Sequence, residues 1–149
     1  MKGYSIEEIP EKSARAMKKG CNISPKDAVN IAHNIRGMNL TKAMDFLNRV
    51  IKKEEPVRYF RYLDSVSHRK GAGPGRYPVK ACEHFIQLLE NVEANAEFKG
   101  LDTDNLKIIY VSADKGMMLK RYMPKAYGRA GANNRDLVNL SVVVEEVEQ

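Results

Sequence analysis

The fold is decided by residues 105–147, which have the sequence NLKIIYVSADKGMMLKRYMPKAYGRAGANNRDLVNLSVVVEEV. Residues 105–114 and residues 137–147 show the two-residue period of β-strands. Strands that follow one another in sequence usually pair antiparallel. The connection of about 22 residues is far longer than an ordinary hairpin loop of roughly 2–5 residues. We therefore expect both strands to continue beyond the body as a projecting ribbon about 30 Å long.

The connection between these strands is strongly basic. Residues 115–135 contain six basic residues and no acidic residue. Six large apolar or aromatic residues lie among them: Met117, Met118, Leu119, Tyr122, Met123 and Tyr127. Exposed Met and Tyr are a liability on a lone protein. Lys and Arg neutralise phosphates and Tyr stacks on bases, so the composition favours a nucleic-acid partner.

A second basic segment occupies residues 58–80. It contains six basic residues against the single acid Asp64, while the formal charge of the whole chain is +6. Both basic segments are rich in Gly and Pro, and both are predicted to be loops. Clustered positive charge on irregular backbone indicates a polyanionic partner. The alternative interpretation is two solvated surface loops.

The N-terminal half contains helix signals and one weaker strand signal. Residues 1–11 look like a loosely held arm, and residues 12–20 are predicted to form a short edge strand. Ser24 is a good N-cap before Pro25, which predicts a first helix ending at Gly37. A second helix is predicted to begin at Thr41. A third helix, with the longest apolar stripe, is predicted from about residue 78 to 98.

Composition excludes several classes of protein. With 149 residues, 43% of them hydrophobic and 30% charged, the chain has the size and composition of one globular domain. No apolar run is long enough to span a bilayer, and no signal peptide is recognisable. Cys21 and Cys82 are expected to be buried reduced thiols. We predict no metal site, since Cys82 and His84 are two residues apart and would point to different sides of a helix. We predict no nucleotide cofactor, since the glycines of residues 71–75 lack the phosphate-loop pattern.

The connection also carries a recognisable motif, Lys120-Arg121-Tyr122-Met123-Pro124-Lys125-Ala126-Tyr127-Gly128-Arg129-Ala130. Supporting matches are Ile35-Arg36-Gly37, the run VEANAE at residues 92–97, and Leu106-Lys107-Ile108. With these residues the chain resembles the universal L-twenty-two family of large-subunit ribosomal proteins, whose long β-hairpin lines the polypeptide exit tunnel. Lys125 departs from the Arg that is common in the family, and it loses the planar fork that grips phosphate.

The resemblance implies an α+β fold, with three helices packed on a small antiparallel sheet and a long protruding β-hairpin. Residues 1–149 would form a single ribosomal-protein domain. Residues 58–77 look like the basic insertion of archaeal and eukaryotic members, and residues 114–136 would be the extended hairpin. The short chain favours an archaeal source.

The resemblance also implies a non-enzymatic structural role in the cytoplasm, as a monomer within the large ribosomal subunit and away from membranes. The partners would be large-subunit ribosomal RNA of several domains, neighbouring ribosomal proteins, and the nascent polypeptide at the hairpin tip. The expected RNA-binding residues are Arg15, Lys18, Lys19, Arg58, Arg61, Arg69, Lys70, Arg76, Lys80, Lys115, Lys120, Arg121, Tyr122, Lys125, Tyr127, Arg129 and Arg135. The expected tunnel-facing residues are Lys120, Arg121, Tyr122, Met123, Pro124 and Lys125.

Two other functions remain open on the residues alone. A free RNA- or DNA-binding regulator could use the ribbon to read a groove, although such readers usually dimerise. An enzyme acting on RNA would need a general base or a metal site. In the basic segments, only Asp64 and His68 could supply one.

Overall fold

The computed structural model describes Tyr4, Ile6 and residues 10–147. Most of the arm expected over residues 1–11 lies outside this description. The helices are α1 (Pro25–Ile35), α2 (Leu40–Ile51) and α3 (Val79–Phe98). The strands are β1 (Ser13–Cys21), β2 (Val57–Arg58), β3 (His68–Arg69), β4 (Gly73–Arg76), β5 (Leu106–Leu119), β6 (Tyr122–Pro124), β7 (Ala130–Ala132) and β8 (Arg135–Glu146).

The main sheet has three antiparallel strands in the order β1-β8-β5. Val144 on the central strand lies opposite Ala14 on one side and Ile108 on the other. The antiparallel pairing predicted for the two C-terminal strands is confirmed, and so is the edge position of β1. With the three helices and the long hairpin, this arrangement is the α+β fold that the resemblance implied.

The hydrophobic core lies between one face of this sheet and the helices. Alternate residues of β8 point into it, because successive side chains on a strand face opposite ways. The buried side chains of β8 on this face are Val138, Leu140, Val142 and Val144. The apolar faces of α1 and α3 cover them, and α2 packs against α3. The buried helix residues include Ile31, Ile35, Leu47, Phe85 and Leu89, each at most 1% exposed.

The helix boundaries follow local sequence signals. Ser24 caps α1, and its hydroxyl accepts a hydrogen bond from the Asp27 N–H at 3.4 Å. Gly37 follows the helix at φ +80°, a conformation that favours glycine. The predicted start of the second helix at Thr41 was late by one residue, since α2 begins at Leu40 without a side-chain cap.

The turn after α1 closes the free edge of β5. The Gly37 N–H donates to the Ile108 carbonyl at 2.9 Å, and the Ile108 N–H donates to the Met38 carbonyl at 2.9 Å. Arg36 Nη2 donates to the Val111 carbonyl at 3.0 Å. An open strand edge invites pairing with other chains. The Ile35-Arg36-Gly37 motif therefore has a structural role, because it covers this edge of the sheet.

Helix α3 covers the other edge of the main sheet. Asn95 Nδ2 donates to the Arg15 carbonyl at 2.9 Å, and Lys99 Nζ donates to the Ser13 carbonyl at 2.6 Å. These carbonyls belong to β1, the second edge strand. Both edges of the main sheet are therefore partly satisfied by groups from helices or from the turns that follow them.

Residues 58–77 are irregular over 59–67 and 70–72, as predicted, but they also contain short strands that were not predicted. They build a second sheet with the strand order β2-β4-β3. Arg58 lies opposite Gly75, and His68 lies opposite Pro74. A Cβ atom on Gly75 would lie 3.0 Å from the Val57 carbonyl oxygen, so a larger residue at this buried position would crowd the backbone of β2. The strands were missed because they are only two to four residues long, and β4 consists largely of Gly and Pro.

Both cysteines are buried and unpaired, as expected for reduced thiols. Burial raises the pKa of the Cys82 thiol to about 12. A thiol that holds its proton this strongly is a poor nucleophile. Among the described residues, no helix is both long enough and apolar enough to cross a membrane.

Candidate nucleic-acid interface

The hairpin leaves the body as a continuation of the main sheet. β5 and β8 pair from Leu106 opposite Glu146 out to Leu119 opposite Arg135. Burial falls along this ladder, and from Asp114 outward most side chains are exposed. Every residue from 120 to 130 is exposed. The projecting ribbon predicted from the length of the connection is therefore present.

The tip of the hairpin is a tight turn closed by a backbone hydrogen bond. β6 and β7 pair antiparallel, and a short 3₁₀ turn, Ala126–Gly128, joins them. Tyr127 adopts φ +57° at the apex, and its side chain is 99% exposed. The Lys125 N–H donates to the Arg129 carbonyl at 2.7 Å and closes the turn. The turn therefore presents an unshielded aromatic ring between two basic residues.

All six predicted hairpin cations are exposed. Lys115, at the neck, also forms an ion pair with Asp136, with 3.1 Å between Nζ and Oδ2. Asp136 lies just beyond residues 115–135, which contain no acid. Counting charges in that segment alone therefore overestimated how free the Lys115 charge is to bind RNA. The exposed hairpin cations farther out are Lys120, Arg121, Lys125, Arg129 and Arg135. Met117, Met118, Tyr122 and Met123 are also exposed, as predicted.

The neck of the hairpin is irregular and tightly packed. The register shifts between Lys115 and Met118, which places a bulge at residues 116–117. A Cβ atom on Gly116 would lie 3.0 Å from both the Leu137 carbonyl oxygen and Asn139 Oδ1. Bulges bend a strand and increase its twist, so this position sets the direction of the hairpin.

The insertion is held against α1 by side-chain amides. Asn30 is fully buried, and its Oδ1 accepts from the Phe60 N–H at 2.9 Å and from the Arg61 N–H at 3.2 Å. Its Nδ2 donates to the Arg61 carbonyl at 3.2 Å. One turn further along, Asn34 Nδ2 donates to the Arg58 carbonyl at 2.8 Å. The backbone of residues 58–61 is thus fixed to the helix.

A buried tyrosine strengthens this attachment. The Tyr59 hydroxyl donates to Asp27 Oδ1 at 2.5 Å. Burial, followed by this hydrogen bond, raises the pKa of Tyr59 above its usual value of 10.0. The Arg76 guanidinium lies 6.0 Å from the Tyr59 ring, and its Nη2 donates to the Ser65 carbonyl at 3.2 Å. Arg76 therefore stabilises the insertion in addition to contributing positive charge to it.

The remaining predicted cations differ in their surroundings. The Arg69 guanidinium lies 5.4 Å from the Tyr77 ring, within the range of a cation–π contact. On β1, the Arg15 guanidinium lies 5.6 Å from the Tyr4 ring. Lys18 Nζ donates to Gln87 Oε1. Of the cations predicted to bind RNA outside the hairpin, the exposed ones are Arg15, Lys19, Arg58, Arg61, Arg69, Lys70, Arg76 and Lys80.

Lys19 lies close to the hairpin neck rather than forming a separate patch. A groove of about 300 Å³ beside the neck is lined by Lys19, Asp114 and Asn139. Asn139 Oδ1 also accepts from the Gly20 N–H at 3.0 Å, which ties the end of β1 to β8. The structure therefore places Lys19 beside the neck of the hairpin.

The two side chains that could have supported RNA cleavage are both exposed. Asp64 lies in a turn of the insertion and His68 begins β3. Within the part of the chain that the structure describes, no group of three or more His, Cys, Asp or Glu residues could hold a metal ion. The site is an exposed, basic and aromatic surface, not a catalytic cleft.

Sequence reasoning missed the residues that position the insertion. Asn30 and Asn34 are four residues apart on α1 and make the contacts that fix residues 58–61. A polar residue next to the apolar stripe of α1 was the available signal. A buried amide needs partners, although sequence spacing alone does not say where the partners lie.

Known proteins share this sequence over nearly its whole length. The family model described as ribosomal protein L22p/L17e matches residues 16–145. The large ribosomal subunit protein uL22 of Picrophilus torridus is 63% identical over 98% of this chain and 97% of its own length. The uL22 proteins of Thermoplasma acidophilum and Ignicoccus hospitalis are 61% and 52% identical, over 98% and 95% of this chain and 96% and 93% of their own lengths.

These relatives come from archaea, in agreement with the archaeal or eukaryotic form expected from the insertion and the archaeal source expected from the short chain. The family match spans both the hairpin and the insertion. It confirms the resemblance inferred from the hairpin motif, and it removes the enzyme alternative. The chain belongs to the ribosomal protein L22p/L17e family, whose members are structural, non-enzymatic components of the ribosome.

Proposed function

We infer that this chain is a structural protein of the large ribosomal subunit in the cytoplasm. It binds ribosomal RNA of several domains, aids assembly of the subunit, and lines part of the polypeptide exit tunnel with its hairpin tip. The observation that carries this proposal is the hairpin itself. Residues 120–130 are all exposed and contain four basic residues and no acid.

The proposed mechanism is charge neutralisation combined with shape. RNA strands repel one another through their phosphates, and Lys or Arg side chains placed between them remove that repulsion. A two-stranded ribbon is thin, and its small residues allow close approach of RNA backbone; Gly128, Ala130 and Gly131 supply them at the tip. The hairpin could therefore fill a crevice between RNA domains that a globular domain could not enter.

We assign the RNA contacts to the exposed cations of the hairpin and of the insertion, with those of β1 as weaker contributors. Lys115 and Arg76 already contact groups of their own chain. They would contribute less charge to RNA than Arg121 or Arg129. The tip residues 120–125 would face the nascent polypeptide, and the chain would act as a monomer beside neighbouring ribosomal proteins.

A free nucleic-acid-binding regulator remains the second candidate for the hairpin. Such a protein would release its nucleic acid in high salt, because its binding depends on counterion release at an accessible surface. A hairpin threaded between RNA domains is also held by its shape. Salt resistance therefore separates the two functions.

The test is sedimentation of a native cell extract on a sucrose gradient after a high-salt wash, with detection of this chain. We expect the chain to remain in the large-subunit fractions. Its appearance at the top of the gradient would contradict the threaded hairpin. The preferred RNA of the isolated protein would then be the next quantity to measure.

A further inference from the structure

Two aromatic rings meet on the surface between α1 and the insertion. The His33 and Phe60 ring centroids are 3.9 Å apart, with an interplanar angle of 33°. His33 is exposed, and Phe60 remains 39% exposed. An aromatic pair in the core would be fully enclosed, whereas this pair borders solvent. Part of its ring surface is therefore accessible to another flat group.

The rings border a groove of about 570 Å³. Leu63 and Pro74 supply further apolar lining, and Arg58 adds a positive charge. No acidic residue is among the groove's lining residues, all of which lie in the described part of the chain. The volume falls within the usual range for small-ligand sites. The groove thus combines apolar walls with positive charge.

The groove is formed before any partner binds. The Phe60 N–H is held by Asn30, and the carbonyl of Arg58 is held by Asn34. Both amides belong to α1, the helix that also carries His33. The two rings are therefore fixed relative to each other through one helix. A preformed site loses less conformational entropy on binding than a mobile loop does.

We propose that this groove binds one unpaired base of the ribosomal RNA, stacked against Phe60, with Arg58 neutralising an adjoining phosphate. This inference rests on the proposed RNA-binding function and adds to it a base-binding site outside the hairpin. Single-stranded RNA is commonly recognised by stacking of unpaired bases on aromatic side chains. Stacking tolerates any base, so the site selects an unpaired nucleotide rather than a sequence.

The charge of the insertion favours RNA over protein as the occupant. The basic segment of residues 58–80 carries six basic residues against one acid. An apolar side chain from a neighbouring protein would fill the walls of the groove but would leave Arg58 without a counter-charge. An unpaired nucleotide supplies both a flat base and a phosphate.

The first test measures the affinity of the full chain for protein-free large-subunit ribosomal RNA by filter binding. We expect Phe60→Ala to weaken binding about tenfold, within the range seen when one base-stacking aromatic is removed. Phe60→Tyr keeps the ring and should bind within about twofold of the wild type, since Tyr also stacks on bases. Phe98→Ala is the matched control, because Phe98 is a 94% exposed phenylalanine at the end of α3, outside the groove. Phe98→Ala should bind like the wild type.

The second test identifies the occupant. A photoreactive phenylalanine analogue replaces Phe60 in assembled large subunits, and the expected crosslink joins it to an unpaired nucleotide. Equal RNA binding by the wild type and Phe60→Ala, or a crosslink to protein alone, would overturn the base-binding site and leave the RNA-binding function intact. Failure of the wild type to bind the RNA at all would overturn the proposed function, and the inference with it.

Discussion

Asn30 is fully buried, and its amide group makes four hydrogen bonds. One joins Nδ2 to the Lys26 carbonyl within α1 at 2.8 Å, and the other three reach Phe60 and Arg61. Removing one partner of a buried hydrogen bond leaves the other with its full desolvation penalty. The stability of the insertion therefore depends strongly on this single residue.

The substitution Asn30→Ala should lower the free energy of unfolding by about 2–3 kcal/mol, because the Phe60 and Arg61 N–H groups lose their acceptor. Urea denaturation of the free protein measures the change. Asn48→Ala is the matched control, since Asn48 is an exposed asparagine on α2. It should change stability by less than about 0.5 kcal/mol. Equal losses in the two variants would contradict the role assigned to Asn30.

The raised pKa of Tyr59 predicts a pH dependence of stability. Above about pH 10 the unfolded chain releases the phenol proton that the folded chain still holds. The stabilisation from the buried neutral phenol is therefore complete below that pH and is lost as the pH rises above it. Tyr59→Phe should cost about 1.5 kcal/mol near neutral pH. In urea denaturation, its difference from the wild type should shrink above about pH 10, and a constant difference would disprove the assignment.

Residue roles that depend on neighbours in the chain could be predicted from the sequence. Ser24 lies at the start of α1 and Gly37 lies just beyond its end, as expected, because capping acts within a few residues. The role of Asn30 could not be predicted, since its acceptor and donor partners lie 30 and 31 residues away. The hydrogen bond of Arg36 to the Val111 carbonyl could not be predicted either, since the two residues are 75 positions apart.

At the level of secondary-structure elements, the hairpin neck joins the exposed hairpin to the packed body. Gly116→Ala would place a Cβ atom 3.0 Å from the backbone oxygen of Leu137, so the neck must shift. We expect a loss of about 1–3 kcal/mol in the free energy of unfolding, the usual cost of overpacking. Gly131→Ala is the control, because its Cβ would approach only the flexible side chain of Lys125, at 3.1 Å. Similar losses of stability in Gly116→Ala and Gly131→Ala would show that the neck is packed no more tightly than the tip.

The hairpin should be mobile when RNA is absent. Free two-stranded ribbons are marginal in water, and this one carries uncompensated charge on exposed residues 120–130. Amide hydrogen exchange of the free protein should show weak protection over residues 116–132 and strong protection within α3. Strong protection of the hairpin would contradict this expectation and would indicate that the ribbon is stable alone.

The elements that sequence analysis predicted well are those with a long hydrophobic period. α3 was expected over residues 78–98 and spans Val79–Phe98, because its stripe repeats over five turns. The strands of the insertion were missed, because β4 has the sequence GPGR and holds no β-forming residue. The candidate site likewise contains features that the sequence predicted and features that it did not. Its charges could be counted from the sequence, whereas the stacked rings of His33 and Phe60 depend on tertiary packing.

At the scale of the whole molecule, α1 connects the two basic segments. Asn30 and Asn34 bind the insertion, while Arg36 and Gly37 bind β5, the first arm of the hairpin. Two positively charged surfaces are thereby held in a fixed relation by one helix. The net charge of the chain does not describe this arrangement, because RNA binding depends on where the cations lie.

The placement of charge can be tested apart from its amount. Arg121→Gln with Arg129→Gln, and Lys52→Gln with Lys53→Gln, each lower the formal charge by two, and all four residues are exposed. The slope of log affinity against log salt falls by about 0.7–0.9 for each lost phosphate contact. For large-subunit ribosomal RNA, the hairpin pair should therefore reduce the slope by about 1.5. The pair after α2 lies outside both basic segments and should leave the slope unchanged. Equal reductions would mean that binding follows net charge alone, and the hairpin would lose its assigned role.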